Sequence, residues 1–417
     1  MDEKIKVSIS IDENTTVPVG VLWCSSNKGK LSSAFEYEDS WLDYKGNFAI
    51  EPALQLSKRV YYSPKGRLFG CMGDSSPDRW GRMLMHRNEL KKSRASGKPQ
   101  RSLSELDYLL MVSDYARQGA LRYSKMGEAS YLSDSNADAV PQFVLLPRLL
   151  AAAERFIESK ETLEDLKALL APGSSLGGAR PKASVFDSDG SLSIAKFERK
   201  GDEYDVVAWE AVALSIAKDF SLNVPSFHLK KIEGKSVLMV KRFDRLKGAR
   251  IPFVSAMTML GSLDNEERSY LEIADAIQQY GSQPSKDLKE LWSRIVFGVL
   301  VTNTDDHLRN HGFLYDAHSG WRLSPAYDIN PTPDFVKPRQ LSTCIDFQSH
   351  EASLELALSV SNEFRLSLND AKRIASDAAK VTLSWREKAR GFGIAEAEID
   401  SMSSAFEHSE QRMAEKL

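Results

Sequence analysis

The stretch Asp305-Asp306-His307-Leu308-Arg309-Asn310 sets an aspartate and an asparagine five positions apart, and a second aspartate follows the asparagine by eighteen residues in Tyr327-Asp328-Ile329. Two carboxylates and one amide are oxygen donors of the kind that suits a hard divalent cation. Phosphoryl transfer asks for this set. One carboxylate (Asp305) orients the attacking hydroxyl, while an amide oxygen (Asn310) and a second carboxylate (Asp328) hold magnesium against the nucleotide phosphates. Asp and Asn are also ordinary turn residues, because their side chains bond nearby backbone groups. The elements that position them therefore carry the argument.

Those elements are legible. Leu291 to Thr302 (LWSRIVFGVLVT) is a strongly apolar helical run that Asn303-Thr304-Asp305-Asp306 ends abruptly. Phe313-Leu314-Tyr315 reads as a short strand, Asp316 to Gly320 as a turn and Trp321-Arg322-Leu323 as the returning strand. A hairpin of this length brings Asp328 back beside Asn310, as a shared metal site requires. The spacing matches a protein-kinase catalytic loop with its metal-binding aspartate.

A chain of 417 residues, 42% hydrophobic, is long enough to bury one large core or several smaller ones. Charged residues make up 27% and the formal net charge is −3, without the global positive charge of a dedicated nucleic-acid binder. The segment after Met1-Asp2-Glu3-Lys4 has no apolar run of a secretory signal, and the longest apolar stretches are too short for a bilayer. Cys24, Cys71 and Cys344 lie far apart without metal-ligand spacing. A cytoplasmic protein with no membrane partner is expected.

Residues 4 to 73 alternate short apolar runs with Gly, Pro and Asn breaks, the pattern of a β-rich unit, with strands expected at 5–9, 17–24, 34–37 and 48–50. Ser76-Pro77 predicts a helix start with Ser76 as N-cap and Pro77 at the first helical position. The basic, breaker-rich stretch from 86 to 101 reads as a solvated loop in preference to a contact for DNA or an acidic partner, and the polar 124–141 segment as a boundary or surface connection. Residues 147–170 turn helical, strands follow at 183–187 and 192–198 about an Asp189-Gly190 turn, a helix spans about 206–220, and a strand runs from 237 to 243. From Ser255 onward the pattern is mostly helical, with helices expected over 371–390 and 394–416. The expected divisions are 1–140, a nucleotide-binding part at 141–245, and a helical catalytic part at 246–417.

Ser174-Ser175-Leu176-Gly177-Gly178-Ala179-Arg180-Pro181-Lys182 precedes the strand pair. Adjacent glycines let backbone amides approach phosphate oxygens, and Lys182 adds positive charge. Lys196 is a lysine on an otherwise apolar strand, suited to the α/β-phosphates, with Glu210 as the available helix partner. Val240-Lys241-Arg242-Phe243-Asp244 ends the next strand where backbone groups can read adenine.

Four ordered motifs resemble the HipA-type serine/threonine kinases of bacterial toxin–antitoxin systems: Ser-x-Gly-Gly-Ala-x-Pro-Lys at 175–182, Lys-Arg-Phe-Asp at 241–244, Asn-Thr-Asp-x-His-x-x-Asn at 303–310 and Pro-x-Tyr-Asp-Ile at 325–329. Leu222-Asn223-Val224-Pro225 and Pro77-Asp78-Arg79-Trp80-Gly81-Arg82 are similar to the family as well. The resemblance implies an α+β, two-lobed kinase-like fold (of the HipA and PI3/4-kinase type), β-rich at the N-terminal side and mostly helical at the C-terminal side. It implies Asp305 as catalytic base, Asn310 and Asp328 as Mg2+ ligands, and His307 and Tyr327 at the ATP site. Gly177, Gly178, Ala179, Arg180, Pro181, Lys182 and Lys196 are then phosphate-binding, and Lys241, Arg242 and Phe243 face adenine. Family members often carry an acidic residue where Lys241 stands here, which a backbone contact tolerates and a ribose contact through the side chain does not.

Ser175 matches the serine such kinases autophosphorylate, and Ser174 is the neighbouring alternative; the sequence does not choose between them. A phosphate adds about −1.5 to −2 charges to a loop that binds ATP phosphates, so repulsion makes the modification an off-switch. The implied partners are a HipB-like helix-turn-helix antitoxin, which carries most of the DNA contact, and a host protein substrate, in the family typically an aminoacyl-tRNA synthetase. Two other readings stand beside this one: a catalytically idle corepressor subunit, and a kinase of small molecules.

Overall fold

The computed structural model describes residues 3–27, 30–64, 66–128, 130–133, 140–173, 178–264, 266–316 and 319–417. Ser174, Ser175 and Gly177, expected in the phosphate-binding loop, lie outside the described residues. The chain divides into two compact units, Met1–Gly201 with Lys231–Val254, and Asp202–Lys230 with Ser255–Leu417.

The first unit holds an antiparallel five-stranded sheet. Its strand order is Tyr61–Tyr62, Lys30–Tyr37, Thr16–Asn27, Glu3–Ser10, Leu121–Lys125. The last strand returns from far along the chain to pair with the first, Val7 opposite Tyr123. Residues 48–50 are irregular rather than a strand. Their polar groups go to side chains instead: the Phe48 carbonyl accepts from Trp41 Nε1 (3.3 Å) and the Ile50 amide donates to the Tyr37 hydroxyl (3.2 Å). A sheet ladder is then unnecessary for their satisfaction.

The strands Lys182–Phe186, Leu192–Phe197 and Lys235–Lys241 are antiparallel. The expected turn is present, with Gly190 at φ +77°. Alternation sends Ala183, Val185, Ala195, Phe197, Val237 and Met239 to one face, into a core shared with Trp80, Leu84, Leu149, Leu150, Phe156 and Leu166. The helices Arg79–Ser96, Leu146–Ile157 and Leu163–Gly173 supply those partners. The first of these helices starts two residues later than expected and runs on through residues 86–96, part of the stretch expected as a solvated loop. Its N-cap is Asp78, and Ser76 instead donates to the Met72 carbonyl.

The second unit is mostly helical. Pro284–Leu300 buries twelve of its residues, and Val206–Asp219 is buried along most of its length, with Trp209 against Trp385 and Phe406. The two long C-terminal helices of the sequence reading are five shorter ones, Leu368–Thr382, Trp385–Gly391, Glu396–Ser401, Ser403–Phe406 and Ser409–Ala414. The breaks let one segment meet several neighbours: Thr302 Oγ1 donates to the Ala405 carbonyl (2.8 Å), and His408 Nε2 meets the Leu300 carbonyl at 3.1 Å. Burial holds the His408 imidazole far down, at about 3, hence neutral at physiological pH. Among the described residues, no helix is long and apolar enough to cross a membrane.

Candidate active site

Helix Pro284–Leu300 delivers the chain to the polar loop. Thr302 takes φ +54°, and the Asn303 amide folds back onto the Gly298 carbonyl at 2.8 Å. The hairpin Gly312–Asp316 with Gly320–Leu323 follows, in the register Phe313 opposite Leu323. Asp287 fixes that hairpin: its buried carboxylate accepts from Arg322 Nε (2.9 Å) and from the Leu323 amide (3.1 Å).

The hairpin returns Asp328 to the loop. On its N-terminal side Tyr327 Oη donates to the Arg309 carbonyl at 2.7 Å, and on its C-terminal side the Asn330 amide donates to Asn303 Oδ1 at 3.0 Å. Asp328 itself is half-buried with φ +60°, a left-handed conformation that Asp tolerates better than most side chains. Asn330 Nδ2 donates to its carbonyl at 3.2 Å.

Within the loop, the Asp305 carbonyl accepts from the His307 amide (2.9 Å) and from Asn310 Nδ2 (3.0 Å), while the Asp305 side chain is exposed. Because its NH2 group is engaged on the Asp305 backbone, buried Asn310 keeps its oxygen for an acceptor role. This is what a cation ligand needs. Asn310 and Asp328 give two oxygen donors, so a divalent ion held there takes its remaining ligands from phosphate and water. Among the described residues, no group of three or more His, Cys, Asp and Glu forms an all-protein cage. His307 is half-buried, and its Nδ1 has no hydrogen-bond partner among the described residues.

Asp306, one position on, is buried. Its Oδ2 accepts from Tyr270 Oη (2.6 Å) and meets His311 Nε2 at 3.0 Å, and its carbonyl accepts from Thr343 Oγ1 (2.7 Å). Burial raises the Asp306 carboxyl, but the adjacent His311, its hydrogen bond and that of Tyr270 outweigh burial and hold it below the usual range. The Thr304 carbonyl accepts from the Ser342 amide (3.1 Å) and hydroxyl (3.0 Å), and Arg339 Nη1 donates to Thr302 Oγ1 (2.6 Å). The sequence reading missed Tyr270, His311, Arg339 and Ser342, which lie up to 38 residues from the loop residues they hold.

In the first unit, Lys182 stands directly opposite Lys196 in the strand register. Both project from the face opposite the shared core, Lys182 buried and Lys196 half-buried. The register thus sets two lysine side chains at adjacent positions on one face of the sheet. Gly178 has φ +83°, and a Cβ there would come within 2.6 Å of Lys182 Nζ. Pro181 is buried and accepts the Phe197 amide at 3.0 Å, whereas Ala179 is exposed and Arg180 half-buried.

The 241–244 segment divides its tasks. Lys241 leaves on the core side of the strand alternation, is exposed and meets Asp189 at 3.5 Å, so its ammonium is on the other face from Lys182 and Lys196. Arg242 is buried, bound to Asp244 (2.6 Å) and to the Ala116 and Arg117 carbonyls (2.6 and 3.1 Å). Asp244 also takes the Gly119 amide at 2.8 Å, and burial of its carboxylate is more than offset by Arg242 and Arg245, which hold its pKa low. These side chains brace the 115–119 loop. Phe243 is half-buried, 6.3 Å from Phe253.

Residues 174–404 match the model of the HipA-like C-terminal domain, and residues 14–123 match that of the HipA N-terminal domain. The chain belongs to the HipA-like family. Curated relatives of the HipA-like part include a Haemophilus influenzae protein named "Putative kinase", 27% identical over 195 residues, which are 41% of this chain and 57% of that protein. Another is "Putative kinase Y4mE" of Sinorhizobium fredii, 24% identical over 38% of this chain and 42% of that protein. The chain thus spans about half the length of these relatives. The HipA fold is shared along nearly the whole chain with a HipA from Shewanella oneidensis MR-1, solved in complex with HipB and its operator DNA, at TM-score 0.64 and 16% identity over 98% of this chain and 96% of that one. The β-rich N-terminal region and helical C-terminal part follow that fold.

Proposed function

We propose that this HipA-family chain is an ATP- and Mg2+-dependent serine/threonine kinase of proteins. The observation that carries the reading is the Asn310 amide. Its NH2 is committed to the Asp305 carbonyl, its oxygen is left as a donor for a cation, and Asp328 is fastened beside the same loop through Tyr327 and Asn330.

In this reading the exposed Asp305 carboxylate orients the substrate hydroxyl and accepts its proton as the γ-phosphoryl is transferred. Asn310 Oδ1 and the Asp328 carboxylate hold Mg2+, which when bound neutralises charge on the nucleotide phosphates. Lys182 and Lys196, cross-strand neighbours, bind phosphate oxygens with the 178–181 backbone, and the unsatisfied His307 Nδ1 suits a nucleotide contact. The backbone of 241–243 reads adenine, since the Lys241 ammonium points elsewhere. The partner is a HipB-like antitoxin that brings the complex to DNA, in keeping with the net charge of −3. The substrate is a host protein of the aminoacyl-tRNA synthetase class, and phosphorylation of Ser175 turns the kinase off.

The test is intact-mass and peptide mass spectrometry after incubation with Mg-ATP, beside Asp305→Gln. A phosphate on Ser175 that requires Asp305 supports the reading. Absence of both phosphate and ATP binding in the unmodified protein refutes it in favour of an idle subunit, and transfer to metabolites but no protein of a lysate redirects it to a small-molecule kinase.

A further inference from the structure

Asp78 sits at the N-cap of helix Arg79–Ser96, a position where an aspartate ordinarily accepts an amide of its own helix. It makes no such cap bond. Its Oδ2 instead accepts the Gly178 amide at 2.8 Å, one hundred residues away. Two positions on, the Trp80 amide donates to the Gly178 carbonyl (3.1 Å), and Trp80 Nε1 donates to the Lys182 carbonyl (2.9 Å). One short segment thus takes both backbone groups of Gly178 and the carbonyl of Lys182. Trp80 is 1% exposed and meets the Phe156 ring edge-on at 5.1 Å, so its two donors are rigidly held. Arg82 fixes the segment from behind: Nε donates to the Pro77 carbonyl (2.9 Å), and the two terminal nitrogens engage Glu105 at 2.6 Å each.

We propose that Asp78 and Trp80 form a clasp that sets the conformation of the Gly178–Lys182 turn for nucleotide, making them positioning residues of the phosphate site. The inference rests on the kinase reading for the identity of the ligand and on geometry alone for the clasp. Gly178 in the left-handed region has no side chain to hold it there, and a turn with many accessible conformers loses entropy when it orders around phosphate. The clasp meets that cost in advance, during folding. It also explains why a Pro-Asp-Arg-Trp-Gly-Arg stretch from the N-terminal region accompanies a glycine turn a hundred residues later. Nucleotide affinity then depends on residues that touch no nucleotide.

The opposite role is physically available and is the one to exclude. A carboxylate on a glycine-turn amide resembles a phosphate oxygen, so Asp78 as a latch would compete with ATP rather than prepare for it.

The experiment compares the full-length protein with Asp78→Ala, Asp78→Asn and Trp80→Phe, after circular dichroism and melting show that each is folded. Amide hydrogen exchange of the nucleotide-free protein is read on peptides covering 178–186, and Mg-ATP dissociation constants are read by calorimetry. Loss of one hydrogen bond to a carboxylate corresponds to about a tenfold change. Asp78→Ala is expected to speed exchange at Gly178 by about that factor and to weaken Mg-ATP by a similar one. Asp78→Asn, which keeps an acceptor oxygen, is expected to restore both, and Trp80→Phe to weaken ATP while leaving its packing on Phe156. Unchanged exchange in Asp78→Ala overturns the clasp whatever nucleotide does. Tighter ATP binding in Asp78→Ala overturns the supporting role and identifies a latch. Faster exchange with no nucleotide binding by the unmodified protein overturns the phosphate role together with the kinase reading, while the clasp itself stands.

Discussion

Replacing Tyr270 by Phe removes one oxygen and tests the buried support of the 303–310 loop. The hydroxyl donates to Asp306 Oδ2 at 2.6 Å, inside a region where Tyr270 is 1% and Asp306 8% exposed. A hydrogen bond to a charged group contributes about 1.5–3 kcal/mol. The ring is retained, with its edge-on contact to His311 at 5.6 Å, so no cavity term adds. The expected loss is therefore about 1.5–3 kcal/mol in urea unfolding at pH 7. Its pH dependence carries the proof. The Asp306 carboxyl titrates below its unfolded value of 3.8, so the stability it brings is present above that pH and fades as pH falls through the lower folded value. The gap between Tyr270→Phe and the unmodified protein should accordingly narrow below about pH 4. Phosphate transfer should fall with ATP affinity unchanged, because Asp306 is bonded directly to Asp305. A stability loss under about 0.5 kcal/mol, or a gap equally large at pH 7 and in acid, refutes the reasoning.

Asp328→Asn keeps a residue type that accepts φ +60° and removes only the charge; the expected result is a higher Mg2+ requirement in the transfer assay at unchanged melting temperature. Gly178→Ala places a Cβ within 2.6 Å of Lys182 Nζ in a left-handed turn, costing about 1–2 kcal/mol, and should weaken Mg-ATP measurably by calorimetry. Burial of Glu51 raises its pKa to about 7, the amide of Cys71 (2.6 Å) only partly opposing this. A raised carboxyl pKa makes the fold lose stability as pH climbs from about 4.5 to 7, by about 3 kcal/mol, so Glu51→Gln should flatten that slope in thermal melts and gain most at pH 8.

Much of this was legible because it is local. The 313–323 hairpin, the Asp189-Gly190 turn and the sheet strands at 183–186 and 192–197 follow from short-range alternation and turn chemistry, and so does the return of Asp328 to the 303–310 loop. What escaped is long-range. Asp78 is the N-cap in place of Ser76, and its carboxylate answers Gly178, which no local rule foresees. Residues 48–50 have strand-like composition, yet Tyr37 and Trp41 satisfy their backbone. Leu121–Lys125 pairs across more than a hundred residues. Arg242 and Asp244 read as a hinge motif and are also a buried brace; the only signal was the density of arginines at 242, 245 and 250 around one aspartate. Tyr270 and His311 left no signal at all as partners of Asp306.

The bonds from Thr302 to Ala405 and from Leu300 to His408 have a consequence for how the protein is born. The base of the Asp305 loop is tied down by residues that the ribosome adds about a hundred positions later. At about 5–20 residues per second, that is an interval of roughly 5–20 s. For most of it the nascent chain carries the Asp305–Asp328 sequence without these two ties. On the proposed kinase reading, phosphate transfer is expected only once the 405–408 segment has been made and has closed these two bonds.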